Sequence, residues 1–309
     1  MKIGLIDVDG HNFPNLALMK ISAYYKAKGD HVEWHLGDLF HYDKVFMSKV
    51  FSSSYSPYIE PPQNADQVIM GGTGYAIETE NGKEIFRRER HWDLPHAVET
   101  TFPDYSIYPQ FNFAISMTTR GCPRKCGFCH VSRKEGCESV KVSDVWDYWK
   151  DQKQIKVLDA NILACRDRER LLWQYAKTGA EIDYCQGLDI RLIDQHVIDA
   201  LNATKLKQVH FAWDNPKEDL TKAFMTYASL AKNKPKGRYG MVYVLVNFNS
   251  TLEEDLYRIN TLRALNYDPY VMVYNKPAAP QQIKDLQRWC NNKIIFGAEK
   301  DFSKYVARG

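Results

Sequence analysis

Three of the seven cysteines, Cys122, Cys126 and Cys129, lie within eight residues of one another. They sit in the run Thr118-Thr119-Arg120-Gly121-Cys122-Pro123-Arg124-Lys125-Cys126-Gly127-Phe128-Cys129-His130. Thiolates select zinc, copper(I) or iron–sulfur centres. Gly121, Pro123 and Gly127 keep the run from becoming a helix and let it wrap around a bulky object. Backbone N–H groups in such a loop can hydrogen-bond cluster sulfides and tune their potential. A cubane has four irons and this loop offers three thiolates, so one iron keeps an open position for a substrate group. Three alternatives stand beside this reading. His130 completes a Cys3His set for structural zinc, although it adjoins Cys129 and such sites draw their ligands from two separated pairs. The thiols can be plain buried hydrophobes. A cluster here can also serve only to carry electrons.

The elements that must position this loop read as an α/β chain. Lys2 to Val8 is a strand, followed by the turn formers Asp9 to Asn15. Asn15 caps a helix with Leu16, Met19, Ala23, Tyr24 and Ala27 at helical spacing, and Gly29 stops it. His31–Leu36 returns as a strand, making a βαβ unit and hence a parallel sheet. Val45–Phe51 and Gln67–Met70 read as further strands, the second ending in Gly71-Gly72-Thr73-Gly74. Residues 1–90 form a small Rossmann-like or flavodoxin-like domain, and 91–112 a Pro- and aromatic-rich connector. From 113 onward, strands at 113–119, 155–159, 182–186, 208–213, 240–246 and 269–274 alternate with helices at 142–152, 167–178, 194–203, 218–232, 251–265 and 280–291. Ser143, Asp194 and Thr251 with Glu254 are helix-cap signals. Six βα repeats specify a parallel sheet or an incomplete barrel over 113–292, with a tail at 293–309. The cysteine loop follows the first of these strands, at the end where such folds carry their sites.

Composition narrows the class. The 309 residues are 44% hydrophobic and 26% charged, which excludes disorder by composition. A net charge of +3 is too small to indicate nucleic acid. No apolar stretch approaches a membrane span and no targeting segment is visible, so a reducing, cytoplasmic setting is expected. Seven cysteines, an odd number, then point to metal or catalysis rather than disulfides.

Cys122-x3-Cys126-x2-Cys129, with Phe128 just before the third cysteine, resembles the cluster loop of the radical SAM superfamily. The resemblance covers 113–292 and implies that family's partial (βα)6 TIM-like barrel. It also implies a 4Fe–4S cluster whose open iron is chelated by S-adenosylmethionine (SAM), and reductive cleavage of SAM to a 5′-deoxyadenosyl radical acting on a substrate. A reducing electron donor such as flavodoxin or ferredoxin follows. The family's Gly-Gly-Glu-like stretch at the second strand is replaced by Leu158-Asp159-Ala160-Asn161. There Asp159 or Asn161 can accept from the SAM ammonium. Gln186 and Asp189 at the third strand, Asp214 at the fourth and Asn247 at the fifth are the further SAM candidates implied, with Phe128 beside the cluster. Asp189 with Arg191 can equally be a surface ion pair, and Asp214 and Asn247 can equally be helix caps.

Residues 1–90 resemble the cobalamin-binding domain that precedes many such barrels. Asp9-Gly10-His11-Asn12-Phe13-Pro14 follows the first strand where that family places Asp-x-His-x-x-Gly, with Pro14 for the final glycine. The resemblance implies His11 as a cobalt ligand oriented by Asp9, and a cobalamin-dependent methyltransferase among the reactions it admits. A solvated turn histidine is the plainer reading. Methylthiotransferases share the domain order but need three more cysteines before residue 91, and there are none. Cys137, Cys165, Cys185 and Cys290 are scattered and read as core or incidental thiols, with Cys185, near a strand's C-terminal end, the one candidate for a substrate-site residue. His35, His41, His91, His96, His196 and His210 form no motif. Arg124, Lys125, Arg133 and Lys134 read as a solvated face that can also steer an acidic donor. The substrate and the catalytic residues are not specified by the sequence.

Overall fold

The computed structural model describes residues 1–80, 83–232 and 240–307. Two compact units partition the chain, Met1–Ile115 with Trp146–Gln152, and Ser116–Val145 with Lys153–Gly309. Residues 91–112 fall within the first unit.

The first unit opens with strand β1 (Lys2–Asp7), helix α1 (Leu16–Ala27), and strands β2 (His31–Trp34), β3 (Tyr42–Ser48) and β4 (Ala65–Gly71). The four strands form a parallel sheet in the order β2-β1-β3-β4. Asn15 caps α1 by accepting from Leu18 N at 3.2 Å, and its amide donates to Ser48 Oγ at 2.8 Å. The helix buries Leu18 and Ile21 against Ile3, Leu5 and Phe46 of the sheet. β3 ends at Ser48 rather than continuing to Phe51. The cause is Asp9, whose carboxylate accepts from Val50 N (2.5 Å), Phe51 N (3.4 Å) and Ser56 Oγ, pulling the chain out of the sheet. An antiparallel pair, β5 (Ile77–Glu80) and β6 (Lys83–Phe86), and a single helical turn, α2 (His96–Glu99), complete the unit.

The second sheet takes strand β7 (Ala114–Ser116), after which come β8 (Thr119–Arg120), the short helix α3 (Val131–Glu135) and β9 (Val140–Lys141). Then follow β10 (Gln154–Val157), α4 (Arg168–Thr178), β11 (Glu181–Leu188), α5 (Gln195–Ala203), β12 (Leu206–Ala212) and α6 (Thr221–Leu230). The chain continues with β13 (Gly240–Val246), α7 (Leu252–Ala264), β14 (Asp268–Val273), α8 (Gln281–Asn291) and α9 (Lys293–Ala298). Six parallel strands stand in sequence order, β7-β10-β11-β12-β13-β14. Right-handed crossovers between strands added always on the same side put every connecting helix on one face of the sheet. Ile155, Val157, Ile182, Tyr184, Val209, Phe211, Val242, Val244 and Val271 are buried on that face. The alternate positions, Lys156, Asp183, Cys185, His210, Tyr243 and Tyr270, share the opposite face, because strand side chains alternate.

Helices at 168–178, 195–203, 221–230, 252–264 and 281–291 match expectation to within a few residues. Asp194 caps α5, and Thr251 with Glu254 forms a full capping box on α7. The helix expected over 142–152 is absent, replaced by one 3-10 turn at Val145–Asp147. Its supposed cap, Ser143, donates back to Met117 O, and the carboxylate of Asp144 is held by Lys141, Arg170 and Gln174. Those bonds compete with a helical start at this point. The tail at 293–309 carries α9 and a 3-10 turn; 308–309, like 233–239, lie outside the described residues.

Candidate functional site

β8 and β9 pair antiparallel, Thr119 with Lys141 and Arg120 with Val140, and so close residues 121–139 into a loop at its base. Gly121 has φ +84°, and a Cβ there would collide with the Glu138 carbonyl oxygen, so no side chain fits. Cys122 N donates to Gly136 O at 3.1 Å, and Cys129 N to Cys126 O at 3.1 Å, turning the chain between the second and third cysteines. Glu135 receives Gly121 N at 3.1 Å and pairs with Arg120 and Lys134. Burial opposes its charge, but Lys134, Arg120 and the Gly121 N–H outweigh burial and hold its carboxyl below the ordinary range.

The three thiols are half-buried and free. Burial raises the thiols of Cys126 and Cys129. After burial, Cys129, Asp214 and Cys122 raise Cys126 further, and Cys122 raises Cys129, so the sulfurs lie within electrostatic range of each other. Among the described residues, no three His, Cys, Asp or Glu side chains are grouped for a single metal ion. A tetrahedral zinc needs its sulfur donors at about 2.3 Å from one point, and the loop as folded does not assemble that set with His130. A 4Fe–4S cluster spreads its thiolates over separate irons and asks instead for a wide loop with donors around it. The loop brings to such a group three thiols, a base closed by strand pairing and a buried amide beside one sulfur. That amide is Asn161, whose Nδ2 lies 3.5 Å from Cys122 Sγ, while its Oδ1 is buried with no hydrogen-bond partner.

The other expected SAM contacts divide. Cys126, Phe128 and Asp214 border one cavity of about 360 Å³, with Arg191, Glu218 and Phe248 on its wall. Phe128 meets the Phe248 ring edge-on at 5.4 Å, and Phe248 meets Tyr274 at 4.9 Å, which joins the loop's aromatic to the ends of β13 and β14. Asp159 does not face a ligand. It is 3% exposed, and its oxygens accept from Thr118 N (3.2 Å), Thr118 Oγ1 (2.8 Å), Thr119 N (2.5 Å) and Thr119 Oγ1 (2.7 Å). It therefore anchors the strand that launches the cysteine loop. Asp189 also holds scaffold: Arg191 Nε donates to it at 2.6 Å and Arg124 Nε, from the loop, at 3.0 Å. Only 6% of the Asp189 side chain is exposed, while Arg124 and Arg191 are 38% and 30% exposed, so the pair sits at the surface with its carboxylate covered. Burial opposes its charge, but Arg191 and Arg124 prevail and lower its carboxyl. Asn247 donates to Tyr274 O at 2.9 Å, joining two strand ends, and Gln186 is exposed outside the cavity wall.

Asp214 is the buried carboxylate on the cavity wall. Burial raises its carboxyl to about 6, against the Leu245 N–H, Arg258 and Arg191, which favour the charge. Protonation is thus easier folded than unfolded. This contribution to stability is complete below the unfolded value of 3.8 and is lost as pH rises through about 6. A rise of that size corresponds to about 3 kcal/mol, and the residue's partial exposure trims it to on the order of 2 kcal/mol. Asp214→Asn should accordingly gain stability over wild type between pH 4 and 6, read from denaturant midpoints of the metal-free chain. A difference independent of pH would contradict this.

The face of the sheet away from the helices went unread in the sequence. Lys156 pairs with Asp183 at 3.2 Å, His210 Nδ1 lies 3.3 Å from Tyr184 O, Cys185 Sγ donates to Val157 O at 3.2 Å, and Tyr243 donates to Cys185 O at 3.3 Å. The signal was the period-two placement of polar groups in strands that a doubly covered parallel sheet would keep apolar throughout.

In the first unit, the expected cobalamin contacts do not assemble. Asp9 holds the 50–56 segment instead of orienting His11. The His11 ring packs on Trp34 at 4.2 Å and on Tyr108 at 5.7 Å. A Cβ at Gly72 or Gly74 would collide with Lys49 O or Phe51 O, so the glycine turn is closed against the chain's own backbone. None of these contacts orients the exposed His11 ring toward a metal.

No helix among the described residues is long and apolar enough to cross a membrane. No family model matches the chain, and no curated protein matches it either.

Proposed function

We propose that this chain holds a 4Fe–4S cluster through Cys122, Cys126 and Cys129 and uses it to cleave SAM reductively. The observation that carries the reading is the loop itself: three thiols on a glycine-opened segment, closed at its base by β8 and β9, with Cys126 and Phe128 on the rim of a 360 Å³ cavity. When bound, the cluster supplies one electron to the SAM C–S bond, giving methionine and a 5′-deoxyadenosyl radical that takes hydrogen from a substrate. The chain's own residues do the rest. Asp159 fixes the start of the loop, Asp189 ties down Arg124 within it, and the Asn161 carbonyl holds Ser139 at its far end. Phe128 and Phe248 offer apolar wall to the nucleoside, and Asp214 with Asn215 offers acceptors to its hydroxyls. A cavity of this size with a few convergent polar groups suits a ligand of SAM's class.

The electron comes from a low-potential donor such as flavodoxin or ferredoxin. Lys125 and Arg133 are exposed on the loop and would steer an acidic partner toward it. Anaerobic reconstitution with iron and sulfide tests the proposal. The expected result is about four irons per chain, a brown thiolate-to-iron absorption and 5′-deoxyadenosine on reduction with SAM. A colourless chain holding one zinc would refute it. A cluster that never yields 5′-deoxyadenosine would leave an electron carrier.

A further inference from the structure

We infer that Asn161 sets the reduction potential of the centre held by the cysteine loop, by donating its side-chain N–H to the thiolate of Cys122. The inference rests on the reading that Cys122, Cys126 and Cys129 ligate a cluster. Its geometry is independent of what the cluster then does.

Asn161 lies four residues beyond β10, 6% exposed. Two constraints hold it. Its carbonyl accepts from Ser139 Oγ at 2.9 Å, which ties it to the far end of the loop, and two residues earlier Asp159 is locked to Thr118 and Thr119 at the near end. The amide is thereby set against the first cysteine, with Nδ2 3.5 Å from Cys122 Sγ. Facing a thiol, which both donates and accepts, an amide could present either of its ends. Facing a metal-bound thiolate, which only accepts, it must present the N–H. Ligation would therefore select the orientation the structure already shows.

The consequence is electrostatic. Reduction adds one negative charge to the cluster, and part of it resides on the ligating sulfurs. A donor aimed at one of them from a site shielded from water stabilises the reduced state more than the oxidised one, and so raises the potential. Losing a hydrogen bond to a charged acceptor should change the reduction equilibrium about tenfold, which for a one-electron couple is about 59 mV. The cluster is then easier to reduce than three thiolates alone would make it.

The test is a dithionite titration of the reconstituted full chain, followed by the electron paramagnetic resonance signal of the reduced cluster. Asn161→Ala and the isosteric Asn161→Asp should keep the wild-type iron content and titrate at lower potential, Asp further than Ala because it adds a charge. A midpoint unmoved in both, at full iron content, overturns the inference. So does loss of the cluster from both variants while wild type keeps it, which would make Asn161 an assembly residue. A wild-type chain that takes up no iron overturns the cluster reading and this inference together, and its zero iron content tells that failure apart.

Discussion

Replacing any one of Cys122, Cys126 and Cys129 by alanine should abolish stable cluster assembly, with iron after desalting falling from about four per chain toward zero. The expectation is this severe because in the proposed cluster each thiolate would hold a separate iron, and the loop's other thiol is turned elsewhere. Cys137 is the nearest other cysteine in sequence, but it is exposed and its thiol donates to Ser132 O, 3.9 Å away. Cys137→Ser should therefore retain the wild-type iron content, and so should Cys290→Ser, whose thiol is buried against Pro269 O. Iron analysis and the visible spectrum decide the matter. Equal loss in the Cys137 and Cys122 variants would mean that iron is held without regard to the loop.

The second large effect lies at a residue the sequence did not single out. Arg258 of α7 is 1% exposed and donates to Trp213 O (2.6 Å), Asp214 O (3.1 Å), Leu245 O (2.9 Å) and Asp255 Oδ1 (2.5 Å). One guanidinium thus fastens the ends of β12 and β13 to the helix behind them. Arg258→Ala would leave the Asp255 carboxylate buried without its cation and three carbonyls without a donor. The cost expected is about 3–5 kcal/mol, because breaking a buried pair exposes the full desolvation penalty of the survivor. It should appear as a lowered denaturant midpoint of the metal-free chain. Replacing the pair together, Arg258→Met with Asp255→Leu, should recover most of the loss, since apolar residues of similar volume leave no charge stranded. A double variant as unstable as the single one would place the cost in the carbonyls instead.

The βα rhythm from 155 onward was legible because parallel strands and capped helices are written locally. Asp194, Thr251 and Glu254 act within three residues of themselves. The cysteine spacing was legible for the same reason, since all three residues lie within eight positions of one another. The fate of the acids and amides at strand ends was not. An Asp after a strand looks the same whether it meets a ligand or a backbone N–H. What decides is a partner 40 residues away for Asp159, 65 for Asp189 and 41 for Asp9. The 142–152 segment failed as a helix through the same kind of bond, since Asp144 is claimed by α4. Distant partners also hid the row of polar side chains on the second sheet, where each strand contributes one or two residues and no strand holds the pattern alone.

The strand pairing of β8 with β9 carries one further consequence. Joining the ends of a nineteen-residue segment costs an unfolded chain about 2–3 kcal/mol in closure entropy, plus a constant. Here backbone pairing and the hydrogen bonds of Asp159 to Thr118 and Thr119 offset that cost. The span of the loop is thus fixed by contacts that do not pass through its cysteines.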